Sequence, residues 1–156
     1  MNQIDFYILG DDSPRDINQM VCRLCEKALE QEMNVLIYTK SFLQAQQLDD
    51  LLWTFKADSF IAHSFITHNN QLNEIEPDSS FFFPVLISSE LSEEMANEKA
   101  PNKRLLINLT LETPPFFQQF ERMAEMVGKN SDEKEIARNR YRFYRQKGYT
   151  LNKYDL

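Results

Sequence analysis

The feature that most limits what this chain can fold into is a switch of hydrophobic period, made repeatedly within its first sixty residues. Residues 3–9 alternate and are rich in Ile, Phe and Tyr, which is strand patterning. Ile17, Met20, Val21, Leu24 and Ala28 then follow at helical spacing. Residues 35–38 are a short apolar run, as in a strand covered on both faces. Ser41 with Gln44 makes a capping box for a second helix running to about Trp53, and residues 59–61 predict a third strand. The order β-α-β-α-β argues for an α/β fold: a mixed, mostly parallel sheet with helices on both faces.

Finer signals fill in the rest. Ser13 and Pro14 suit the N-cap and first position of the first helix. Residues 84–87 and 105–109 read as strands, 90–99 as a short helix and 116–127 as a fuller one. Ser131 is placed to cap the last helix. Residues 64–83 are the least regular and read as a hairpin or loop. Only three glycines occur, with no repeat and no low-complexity segment, so residues 1–156 read as one domain. No run approaches the roughly 18–20 apolar residues of a membrane span, and the opening MNQID lacks a secretory signal, so a cytoplasmic protein is expected.

Signatures of catalysis are missing. No G-x-x-x-x-G-K-[ST] or G-x-G-x-x-G cradle exists, and Gly10-Asp11-Asp12 reads as a solvated turn. Cys22 and Cys25 have redox-pair spacing, but they sit mid-helix, away from the helix start that would activate a thiol. Zinc would need two further soft ligands, which the chain lacks. They read as structural thiols. His63 and His68 have no acid–base partner by spacing, and no serine nucleophile elbow is present. No enzyme activity, metal or cofactor is therefore expected.

Charge is distributed unevenly. Residues 134–148 carry six cations, Lys134, Arg138, Arg140, Arg142, Arg145 and Lys147, against the single acid Glu135. The preceding residues hold 10 Lys/Arg and 22 Asp/Glu. A strip like this on a chain of net charge −7 is a poor general surface for nucleic acid, because the summed field repels a polyanion. It suits one small acidic partner. At 100° per residue Lys134, Arg138, Arg142 and Arg145 fall in an arc of about 80°. Ala137, Tyr141 and Tyr144 border that arc, while Ile136 and Phe143 lie opposite and are expected to anchor the helix. Few acids stand at i±4 to pair these cations. Elsewhere, Trp53 and Phe60 bracket a turn among other aromatics. Either suits a core edge, and the lone tryptophan at a helix end equally suits a protein–protein hot spot.

Residues 138–152 (RNRYRFYRQKGYTLN) resemble the C-terminal signature of the chi-subunit family of bacterial DNA polymerase III holoenzyme. Residues 45–53 (AQQLDDLLW) match that family's A-x-x-L-D-x-x-L-W, and 58–63 (DSFIAH) match its S-F block. Residues 6–9 and 106–109 extend the likeness, whereas 70–104 carry no recognised motif. The resemblance implies a single Rossmann-like domain without a nucleotide site. It further implies an adaptor that binds the psi subunit of the clamp-loader complex and the acidic C-terminal tail of single-stranded-DNA-binding protein. Carried over by position, the tail site falls on Val127, Lys134, Arg138, Tyr141 and Arg142, and the psi site on Trp53 and Phe60. A DNA helicase is a further partner that the resemblance implies for the aromatic surface. The competing reading is a nucleotide-binding protein or enzyme with an unrecognised site. A weaker one is direct single-strand binding by the basic strip.

Overall fold

The structure is a computed structural model describing residues 1–13, 16–54, 84–89, 94 and 104–156, with the backbone alone of 63–66. Seven strands form one sheet: β1 (Gln3–Ile8), β2 (Val35–Thr39), β3 (His63–Ile66), β4 (Val85–Ser89), β5 (Leu105–Asn108), β6 (Arg122–Val127) and β7 (Thr150–Asp155). Among the described residues three helices accompany them: α1 (Ile17–Glu30), α2 (Phe42–Thr54) and α3 (Ser131–Gln146). The strand order is β3-β4-β2-β5-β6-β1-β7. A mixed sheet was expected; every ladder among the described residues is parallel. The α/β class with helices on both faces holds.

Side-chain alternation sorts the core into two layers. Val35, Ile37, Val85, Ile87, Leu105 and Ile107 face α1 and α2, where they meet Val21, Cys25, Leu48 and Leu52. Ile4, Phe6, Leu36, Leu86, Leu106 and Met123 face the other way, toward Ala137 and Tyr144 of α3. Strands buried on both faces explain the continuous apolar runs of β2, β4 and β5.

Several boundaries differ from the sequence expectation. The first helix starts at Ile17 with Asp16 as its cap in place of Ser13; Pro14, expected at its first position, lies outside the described residues. The Gln19 backbone N–H donates to Asp16 Oδ1 at 2.8 Å and the Asp16 N–H donates to Gln19 Oε1 at 3.1 Å, a closed capping box. Ser41 does cap α2, accepting from the Gln44 N–H at 3.1 Å, but the Gln44 side chain accepts from Lys40 instead. Asn130, one residue before Ser131, caps α3, accepting from the Asp132 N–H at 2.7 Å. Residues 63–66 form an edge strand where a hairpin or loop was expected. The strand expected at 59–61, Phe60 and His68 lie outside the described residues, as does the helix expected at 90–99 except for Glu94.

The main correction is residues 116–127. Phe116, Phe120, Met123, Ala124 and Val127 do recur at helical spacing, yet only a single 3-10 turn, Phe117–Gln119, forms. The remainder is β6, held between β5 and β1. Residues 123–127 are all buried, and a strand with both faces covered hides five consecutive side chains where one helix face cannot. Tertiary context overrides the period.

Candidate functional site

Helix α3 reaches its place through two local devices. Asn130 starts it directly after β6, and Gly148 ends it with φ 87°, a left-handed turn that glycine adopts without steric cost. The chain then enters β7, which pairs with the far side of β1. This β6–α3–β7 crossover lays α3 across the side of the sheet where β6, β1 and β7 adjoin.

What holds α3 down is not what the helical wheel suggested. Phe143 is 43% exposed and Ile136 only half-buried; the buried residues of the helix are Ala137, Arg140 and Tyr144. Arg140, counted above among the strip's cations, is turned inward and ion-paired to the fully buried Glu125 of β6. Glu125 also accepts from Tyr144 Oη at 3.0 Å and from Asn108 Nδ2 at 3.0 Å. Thr113 Oγ1 lies 2.9 Å from Tyr144 Oη, and Arg140 donates to the Thr110 carbonyl at 3.3 Å. Burial pushes the Glu125 carboxyl up, opposed by Arg140 and by the Asn108 and Tyr144 hydrogen bonds. Burial and then the Glu125 charge push the Tyr144 phenol up. A helix clamped by a buried charge pair resists sliding, since any shift would leave a desolvated charge unpaired.

With α3 fixed, Lys134, Arg138, Arg142 and Arg145 border a cavity of about 510 Å³. The helix supplies Lys134, Ala137, Arg138, Tyr141, Arg142 and Arg145; the strands supply Phe6, Ile8, Val127, Lys153 and Asp155. Register explains the floor. Glu125, Phe6 and Lys153 stand side by side across three strands, and Val127, Ile8 and Asp155 form the next such row. Tyr141 packs edge-on against Phe6, ring centroids 5.3 Å apart, and closes the inner wall. Among the described residues, Lys134, Arg138 and Arg145 form no ion pair, and Arg142 makes only a 3.4 Å hydrogen bond to Asn139. The arrangement offers guanidinium forks beside an apolar slot, a match for a ligand with carboxylates and one apolar group.

All five tail-site positions carried over by resemblance, Val127, Lys134, Arg138, Tyr141 and Arg142, line this one cavity. Sequence reasoning missed Phe6, Ile8, Lys153 and Asp155 because their membership depends on β1 and β7 being neighbours. Trp53 lies in the last turn of α2 on the opposite side of the sheet, 54% exposed. Cys22 and Cys25 are free and buried; burial, reinforced by Asp16, pushes the Cys22 thiol up to about 12, and burial likewise raises Cys25. Asp11 and Asp12 are exposed in a turn whose Gly10 N–H donates to the Leu156 carbonyl at 3.0 Å. Among the described residues no helix is long and apolar enough to cross a membrane.

Comparison with known proteins supplies the family. Residues 1–152 match the family described as DNA polymerase III chi subunit, HolC. The chain is 35% identical to DNA polymerase III subunit chi of Pseudomonas aeruginosa over 156 residues, covering 100% of this chain and 98% of that one. It is 27% identical to the Escherichia coli subunit chi over 157 residues, covering 97% of each. Among solved structures, the C-terminal domain of the DEAD-box protein Dbp5 superposes with a TM-score of 0.65 at 12% identity, over 99% of this chain and 90% of that one; this likeness concerns the fold alone. The chain belongs to the DNA polymerase III chi-subunit family, a family of replication subunits.

Proposed function

We propose that the protein is a non-catalytic adaptor of the clamp-loader complex, working in the cytoplasm. One surface holds the psi subunit, or a DNA helicase in its place, through Trp53 and Phe60. The other holds the acidic C-terminal tail of single-stranded-DNA-binding protein at Val127, Lys134, Arg138, Tyr141 and Arg142. The observation that carries this reading is the union of a cationic wall and an apolar floor in one cavity. A tail of aspartates ending in an aromatic residue needs both: Arg138 anchors a carboxylate while the ring enters the slot over Phe6 and Val127. The placement of α2 and α3 on opposite sides of the sheet favours simultaneous rather than competing occupancy.

A crossover titration tests it. Arg138→Ala should weaken binding of a tail peptide by about 1.5–3 kcal/mol and leave psi binding unchanged. Trp53→Ala should cost on the order of 2 kcal/mol or more in psi binding and spare the peptide. Peptide affinity should fall with added salt, because the cations are solvent-facing. An Arg138→Ala protein that binds the tail as tightly as wild type refutes the assignment. Reproducible nucleotide hydrolysis or primer extension, abolished by a point substitution, would refute the non-catalytic role.

A further inference from the structure

Of the seven large apolar side chains that stay exposed among the described residues, three stand on one helix: Phe42, Leu43 and Trp53 of α2. The core face of that helix is elsewhere, with Ala45, Leu48 and Leu52 buried against the sheet. At 100° per residue Phe42, Gln46, Asp49 and Trp53 fall within an arc of about 60°, while Leu43 and Asp50 lie off to one side of it. The spacing of those four residues, 4, 3 and 4, is that of a coiled-coil seam, which keeps a stripe straight against a second helix. The seam has an aromatic side chain at each end, about 16 Å apart along the axis, and polar residues between them.

That pattern selects a partner. Helix α2 carries two charges, Asp49 and Asp50, and no Lys or Arg, so a segment lying along it gains by bringing a cation to the middle. Polar residues at seam positions cost stability and fix register, because a partner slid by one turn would press Asp49 against an apolar side chain. A flat apolar patch would instead centre on Leu43, the most exposed of the three at 63%. We propose that the partner held at Trp53 lays an amphipathic helix of about three turns or more along α2. That helix sets one apolar residue against Phe42, another against Trp53, and a Lys or Arg against Asp49. Its owner is the psi subunit, which rests on the reading above that puts psi at Trp53. The inference deepens that reading: Phe42 is a second anchor at the other end of the helix, and Asp49 sets the register and rejects a partner whose seam is acidic or wholly apolar.

The test is calorimetric titration of purified psi subunit against single variants of this protein. Phe42→Ala should weaken psi binding about tenfold or more, the hot-spot range, and Phe42→Leu should recover most of that loss. Asp49→Lys should also weaken it about tenfold or more, by setting like charges face to face. The same reversal at Asp50, off the seam, should cost about threefold or less, as exposed charges do. Leu43→Ala should likewise cost about threefold or less, although Leu43 is the more exposed side chain. Circular dichroism and tail-peptide affinity matching wild type qualify each variant; if Asp49→Lys does not fold, Asp49→Asn takes its place against Asp50→Asn, with the larger loss again at Asp49. Equal losses from Leu43→Ala and Phe42→Ala, or from the Asp49 and Asp50 variants, overturn the seam, as does a Phe42→Ala protein that binds psi as tightly as wild type. In those outcomes the loss caused by Trp53→Ala still stands and preserves the psi site. Failure of wild type to bind psi, or full affinity in Trp53→Ala, removes both readings together.

Discussion

The two sides of the sheet are built from different materials. Against α1 and α2 the buried side chains form an apolar cluster that includes Val21, Cys25, Leu48, Leu52, Ile37 and Ile87. Against α3 the packing combines Phe6, Phe116 and Tyr144 with a buried polar network of Glu125, Arg140 and Asn108. Apolar packing is non-directional, and a cluster of that kind tolerates repacking. A buried ion pair with three further hydrogen bonds fixes one arrangement. The side carrying the cavity is thus the one whose helix position is geometrically specified. The same contrast appears within α3: Arg140 is buried to hold the helix in place, whereas Arg138, two residues earlier, faces the cavity.

The largest effect should come from breaking the clamp. Arg140→Ala leaves the buried Glu125 without its ion-pair partner, and should cost about 3–5 kcal/mol in denaturant unfolding. It should also weaken tail binding in the fraction that folds, although Arg140 does not line the cavity. A loss under 1 kcal/mol would show that the network holds nothing. On the other side, Leu48→Ala removes a fully buried side chain of α2 and should cost about 3 kcal/mol. Tail affinity should stay unchanged there, since none of the described residues lining the cavity belongs to that cluster; a matching loss of affinity would erase the distinction between the sides. The smallest effect concerns the thiols. The folded-state value of Cys22 is raised from an ordinary 9 to about 12, so its contribution is complete below pH 9 and lost as pH climbs toward 12. Below pH 9, alkylation of native protein should be slow and become fast only on unfolding; rapid labelling of the folded protein at pH 8 would contradict the packing.

Much of this was legible in the sequence, for identifiable reasons. The β1–α1–β2–α2 order and the apolar runs of β4 and β5 are local signals, and they placed their elements within a few residues. The stripe of Lys134, Arg138, Arg142 and Arg145 was also readable, because a helix converts spacing directly into direction. Residues 116–127 were not, since aromatic and apolar residues at helical spacing equally fill a strand covered on both faces. Arg140 and Glu125 could not be paired from spacing, because 15 residues and a turn of chain separate them. Helical geometry did place Arg140 outside the arc of Lys134, Arg138, Arg142 and Arg145, and that offset was the available hint. Lys153 and Asp155 carried no signal of their own; only the register of β7 on β1 brings them to Phe6 and Ile8.

That register has a consequence for when the protein becomes competent. Gln3 pairs with Thr150 and Ile8 with Asp155, so β1 finds its outer neighbour only in residues made nearly 150 positions later. Closing so long a loop is slow compared with local helix formation. During synthesis the α1–α2 layer can assemble around β2 and β4 while β1 still waits for β6 and β7. The cavity floor is made of those three strands, so a chain still on the ribosome, or broken before residue 150, has the arginines of α3 but no slot beneath them. The slot is complete only once β7 has paired with β1.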